Sequence, residues 1–240
     1  MRFANCVTFF HLVGFCLSPL LATSVVADGM IPETSVIIVD EAEGEASIRV
    51  TNSDSRVALL HVTLENVPED TQPLVFVTPP VSRVEAGQEQ LVRFILRNDQ
   101  PLKTQRLKRV IFEGISQNPG APVPGEARVG VTVRQNLPVI LHPKGLAAQR
   151  EPWLGLRWRL VDGALTVAND TAYVVRLAQE LRLMPGDIEV QLPRSYLLPG
   201  DHLSLAVASA VAATHVRLQP ATVYGFAVDA YQAPLHGDAP

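Results

Sequence analysis

Apolar and polar positions alternate in short runs beyond residue 28, and the runs stop at clusters of Asn, Asp, Ser, Gly and Pro. Residues 36–39 form a compact apolar run ahead of the acidic turn 40–45. Residues 47–51 alternate and end at Asn52-Ser53-Asp54-Ser55; in 59–64, Leu60, Val62 and Leu64 share one face. Residues 74–77, 90–96, 109–115 and 128–141 continue the series. Alternation of period two bounded by turn formers predicts strands, and about seven of them at roughly 8–12 residue spacing predict an antiparallel sandwich.

The pattern lapses at residues 143–152, which are bracketed by Pro143 and Pro152 and read as a linker. A second series follows at 156–160, 164–168, 173–183, 188–192, 202–208 and 222–230, predicting a smaller β domain. Residues 173–183 also fit a helical period. The expected architecture is all-β, with one domain over 28–143, a linker over 144–152 and a second domain over 153–240.

Residues 1–27 carry a different pattern. Arg2 supplies one positive charge, residues 9–21 are almost wholly apolar, and Val25-Val26-Ala27 places small residues before Asp28. That order predicts a secretory signal peptide cleaved after Ala27, and hence export to the periplasm. The apolar run is shorter than the ~20 residues of a spanning helix. A lipoprotein signal fits less well, because Phe15 precedes Cys16 where a small residue is expected.

Composition narrows the chemistry. Hydrophobic residues are 47% and charged residues 18% of the 240, as in a globular chain with a real core. Cys6 and Cys16 both lie in the leader, so the mature chain has no disulfide, thiolate metal site or cysteine nucleophile. Cleavage leaves 19 basic against 24 acidic side chains, a net charge of −5 that argues against nucleic acid as a partner. His11, His61, His142, His202, His215 and His236 are scattered without a ligand spacing, so neither metal nor cofactor is expected. The chain has no Gly-x-Ser-x-Gly elbow, and Glu126-Ala127 stand where a phosphate loop needs Lys and Ser or Thr. No enzyme activity is expected.

The stretch Thr78-Pro79-Pro80-Val81-Ser82-Arg83-Val84-Glu85-Ala86-Gly87, leading to Val92-Arg93, resembles the PapD-like periplasmic pilus chaperones. Paired prolines force extended backbone and remove two ladder donors, marking a strand end or bend. In the second half, Trp158-Arg159-Leu160, Asn169-Asp170-Thr171-Ala172-Tyr173-Val174-Val175 and Val223-Tyr224-Gly225 are similar to the family's patterns, so the resemblance covers most of residues 34–230. It implies two immunoglobulin-like β-sandwich domains joined by a short linker. It further implies pilin (fimbrial) subunits and an outer-membrane usher as partners, with self-association through the donor strand as a further expectation.

In that family the last strand of the first domain fills the groove of a pilin that lacks its own final strand. Val129, Val131 and Val133 alternate on one face here and are the candidate donated residues. The chain departs from the family where a pilin's C-terminal carboxylate is held by an Arg and a Lys: Ser35 and Pro138 occupy those positions. Arg134, an even number of residues from Pro138 and so on the same strand face, is the candidate replacement. Gln105, His142 and Val223 stand at the family's interdomain ion-pair positions, so the domain angle is expected to rest on apolar and neutral polar contacts. The alternative reading is a structural or adhesive surface module, or a pilin itself.

Overall fold

The computed structural model describes residues 29–116, 132–207, 212–222, 225–226 and 228–236. The proposed leader, Val129 and Val131 lie outside them.

The first domain contains β1 (Met30–Pro32), β2 (Ile37–Asp40), β3 (Glu45–Asn52), β4 (Ala58–Asn66), β5 (Val75–Thr78), β6 (Val81–Val84), β7 (Glu89–Leu96), β8 (Arg106–Ser116) and β9 (Arg134–His142). One sheet runs β1-β3-β7-β5 and the facing sheet β2-β9-β8-β4-β6. The alternation seen in the sequence is the cause: Val50, Val92 and Phe94 of one sheet meet Leu60, Val110, Phe112, Val139 and Leu141 of the other, all fully buried. Two strands were not expected. β1 is only three residues, too short to show a period. β6 lies hidden behind the proline pair, which turns the chain from β5 in one sheet to β6 in the other. Gly87, at φ +69°, then makes the turn into β7, donating its N–H to the carbonyl of Asn52 at 2.8 Å.

The expectation that 128–141 begins a strand at 128 meets the described residues only from 132 onward, and pairing begins at Arg134. β9 pairs antiparallel with β8 from Arg134 to Leu141, but parallel with β2 only from Val139 to His142. Pro138 therefore sits one residue before β2 begins, where its missing N–H costs no ladder bond on that side. From Arg134 to Pro138 one edge of β9 has no strand partner among the described residues.

A 3-10 turn (Pro152–Gly155) opens the second domain. It holds β10 (Arg157–Val161), β11 (Ala164–Ala168), β12 (Val175–Leu177), β13 (Glu180–Met184), β14 (Ile188–Gln191), β15 (Tyr196–Leu197), β16 (His202–Ala206), β17 (His215–Leu218), β18 (Pro220–Ala221) and β19 (Tyr231–His236). The larger sheet runs β14-β13-β17-β19-β10-β11-β16 and packs on β15-β12-β18 around Trp158, Leu165, Leu181, Leu183 and Leu197. Residues 173–183 are strands, not a helix: Val175 and Leu177 point into the core while Arg176 points out of it.

The domains meet through a small apolar cluster of Val36, Val67, Leu107 and Ile140 from the first and Val174 and Leu198 from the second. Polar bonds reinforce it. Gln105 donates its backbone N–H to Ala172 at 2.8 Å and accepts from the Val174 N–H at 2.9 Å. Contrary to the expectation of purely apolar and neutral contacts, an ion pair also crosses: Arg194 meets Glu69 at 2.5 Å, and the Tyr196 hydroxyl donates to the same carboxylate at 2.7 Å.

Candidate functional site

The odd-numbered residues of β9 trace one continuous face. Leu141 and Val139 are fully buried in the core and Leu137 packs against it half-buried. Val133, two residues before the next inward position, is 40% exposed. Past the polar Gln135, an apolar side chain thus recurs on this face beyond the point where the domain's own core ends. Its upstream part, Val129 and Val131, falls outside the described residues. Gln135 is tied to the start of β1, donating its side-chain N–H to the Met30 carbonyl at 2.8 Å, and Gly29 packs beside Val133.

Arg134 is committed elsewhere. Its Nε donates to Glu113 Oε1 at 2.9 Å, across the β8–β9 register that pairs these residues directly. That bond, helped by the nearby His61, holds the Glu113 carboxyl below its ordinary range.

A different pair of cations faces the cleft between the domains. In the β8–β9 ladder, Arg109 is the direct partner of Pro138. Arg176, the outward residue of β12, approaches from the second domain. Together they line a cleft of about 260 Å³ with Leu107, Pro138, Ser195, Tyr196, Gln219 and Ala221. Arg109 is oriented by Asn136, to whose Oδ1 its Nε donates at 2.6 Å and to whose carbonyl its Nη2 donates at 2.7 Å. Arg176 Nη1 is buried with no hydrogen-bond partner. Burial lowers the pKa of both guanidiniums; the charge of Arg109 lowers that of Arg176 further, while Tyr196 and Glu65 partly offset the shift at Arg109. Arginine keeps its proton regardless, so the site holds two cations poorly solvated and facing one another. Such an arrangement favours an anion with several acceptor oxygens.

Sequence reasoning missed both arginines. Arg109 could be placed beside Pro138 only once the strand register was known. Arg176 left a faint signal, a charge between the apolar pairs Val174-Val175 and Leu177-Ala178. Ser35 lies against the second domain, where a Cβ on Gly225 would fall 2.5 Å from its Oγ; Gly225, at φ +85°, is the residue type this approach permits. Val223 lies outside the described residues. No group of three or more His, Cys, Asp or Glu is arranged to hold a metal among the described residues.

Residues 29–147 match the family described as "Pili and flagellar-assembly chaperone, PapD N-terminal domain", and residues 152–232 match "Pili assembly chaperone PapD, C-terminal domain". The chain is 40% identical over 210 residues to a fimbrial chaperone of Escherichia coli K12, YhcA, covering 87% of this chain and 92% of that one. It is 26% identical over 181 residues to the chaperone FimB/FhaD of Bordetella pertussis, covering 67% and 68%. Among solved structures, the fold is similar to the Salmonella enterica complex of SafA pilin with the SafB chaperone, at TM-score 0.69, 18% identity, and 88% and 99% coverage. It is equally similar to the E. coli chaperone DraB, at TM-score 0.69, 18% identity, and 87% and 99% coverage.

Proposed function

This chain belongs to the PapD-like pilus-assembly chaperones, and from that premise we propose that it caps pilus subunits in the periplasm by lending them the stretch of chain that leads into β9 and then hands them to an outer-membrane usher. The observation that carries the reading is the β9 face. It serves the domain's own core at Leu137, Val139 and Leu141, then continues exposed at Val133 with one backbone edge unpartnered. Exposed apolar side chains beside free N–H and C=O groups are what a strand-deficient client can use. Val129, Val131 and Val133 fill the client's groove. The same edge makes self-association of the free chaperone the expected fate when no client is present.

The client's terminal carboxylate goes to Arg109 and Arg176 rather than to Arg134, which already has Glu113. Arg109 stands beside Pro138, so the charge that the usual lysine position lacks is supplied from the neighbouring strand.

Co-expression with a pilin encoded beside the gene tests the reading. Wild type is expected to yield a soluble one-to-one periplasmic complex. Val131→Asp and Arg109→Ala should lose it while remaining folded, and Arg134→Ala should keep it. Failure of wild type to capture any neighbouring pilin would remove the proposal and leave an immunoglobulin-like surface module as the better reading.

A further inference from the structure

The cleft cations have an unusual donor balance. Arg109 commits Nε and Nη2 to Asn136, leaving Nη1. Arg176 keeps Nη1 buried and unpartnered. Neither has a carboxylate within 4.0 Å among the described residues, whereas nearby Arg106 is paired with Asp70 and Arg194 with both Glu69 and Asp201. A buried donor left unmet loses the hydration it had in the unfolded chain, and a charged one loses more. Two facing guanidiniums from separate domains add mutual repulsion. The arrangement is therefore a deficit that a small anion would fill in the client-free protein.

We propose that the cleft is a binding site for a tetrahedral inorganic oxyanion, phosphate or sulfate, which bridges Arg109 of the first domain to Arg176 of the second and competes with the client for them. The competition half rests on the carboxylate anchoring proposed above; the binding half does not. Four acceptor oxygens can meet the spare Nη1 donors of both guanidiniums at once. A space of about 260 Å³ flanked by Leu107, Leu177, Pro138 and Pro220 admits a small ion and disfavours a bulky phosphate ester. Burial dominates at both guanidiniums, offset in part at Arg109 by Tyr196 and Glu65 and deepened at Arg176 by the charge of Arg109. Because the two cations come from different domains, a bridging anion also ties the domains together.

The mature full-length chain would be titrated with sodium phosphate, then sulfate, with chloride making up constant ionic strength. Binding would be followed by the thermal unfolding midpoint and by 31P line broadening. Saturable stabilisation by both anions is expected. It should be lost in Arg109→Gln and in Arg176→Gln, and retained in Arg134→Gln. Should a glutamine variant fail to fold, Arg176→Lys, which keeps charge without the fork, is expected to weaken phosphate binding at least tenfold. A response to phosphate no greater than to chloride, or one unchanged in a folded Arg176 variant, overturns the site. Separately, capture of a neighbouring pilin should fall severalfold in saturating phosphate; phosphate binding without that fall overturns the competition. Phosphate binding by a chain that captures no pilin upholds the site and overturns the proposed function instead.

Discussion

Asn52 and Asn169 perform the same task in the two domains. Each ends a strand, is fully buried, and spends its side chain on backbone groups that strand pairing leaves over. Asn52 Nδ2 donates to the carbonyls of Arg56, Val84 and Glu85 at 2.9, 3.0 and 3.3 Å. Asn169 Nδ2 donates to Tyr173 and Leu197 at 2.9 and 3.2 Å, while its Oδ1 accepts from the Thr171 hydroxyl at 2.7 Å. Replacing either by alanine strands several buried carbonyls. We expect a loss of roughly 2–3 kcal/mol per site, read as a lower urea midpoint without a change of slope. Asp70 is a second buried polar centre, accepting from Arg106 Nε at 2.7 Å and meeting Lys108 Nζ at 2.9 Å. Burial raises its pKa, but the bonds from Arg106 and Lys108 outweigh burial, and the folded carboxyl lies below its ordinary value. A depressed folded pKa gives stability that is full above the unfolded pKa, near ~3.9, and fades as pH falls through the folded value. The urea midpoint should therefore drop on acidification below about pH 4. An Asp70→Asn/Lys108→Met double variant should show a flatter acid limb.

At the scale of the element, β9 and the chain that leads into it follow one alternation, to which the proposed function gives two jobs. Its downstream half is core and its upstream half is exposed, so the same substitution has opposite consequences along it. Val139→Asp buries a charge among Val110, Phe112 and Leu141 and is expected to prevent folding. Val133→Asp, at a position 40% exposed, should shift stability by no more than about 0.5 kcal/mol and still abolish client capture. Urea unfolding paired with co-purification separates the two. Equal destabilisation by both would mean that Val133 belongs to the domain's own core.

At the scale of the whole molecule, Arg194 joins the apolar cluster and the Gln105 bonds in linking the two domains. Its guanidinium joins Glu69 of the first domain to Asp201 of the second at 2.5 Å each, and stacks 5.1 Å from the Tyr196 ring. Partial burial, then the bond to Glu69, push the Tyr196 phenol up to about 12. A phenol whose folded pKa is raised contributes stability that is present below the unfolded pKa near ~10 and lost as pH rises through the folded value. Ultraviolet titration should find Tyr196 ionising about two units above a free tyrosine, and Glu69→Gln should bring it down. The same variant is expected to broaden the interdomain distance distribution in solution scattering, since it removes the one ion pair that crosses between the domains among the described residues.

The lessons differ by scale for the same reason. Most first-domain strands, the proline bend and the asparagine turns were legible because periodicity and turn chemistry act over a few neighbouring residues. Family membership was legible because the Thr78–Arg93 stretch and the Asn169–Val175 stretch are local patterns too. The pattern does not show the strands at 30–32, 81–84, 196–197, 215–218, 220–221 and 231–236, the first being too short and the second masked by its prolines, and where it predicts a strand over 222–230 the described residues hold none. Arg134 was chosen by counting along one strand, a rule that fixes which face a side chain takes but not which partner awaits it; Glu113 was already there. Arg109 and Arg176 are 67 positions apart in the chain, and so are Arg194 and Glu69 far from one another. Only the β8–β9 register and the docking of two domains bring each pair together. The sequence by itself therefore determined what the chain is built from and which family it belongs to. The tertiary structure decided where its cleft charges lie, because an electrostatic site depends on distances through space that no spacing along the chain encodes.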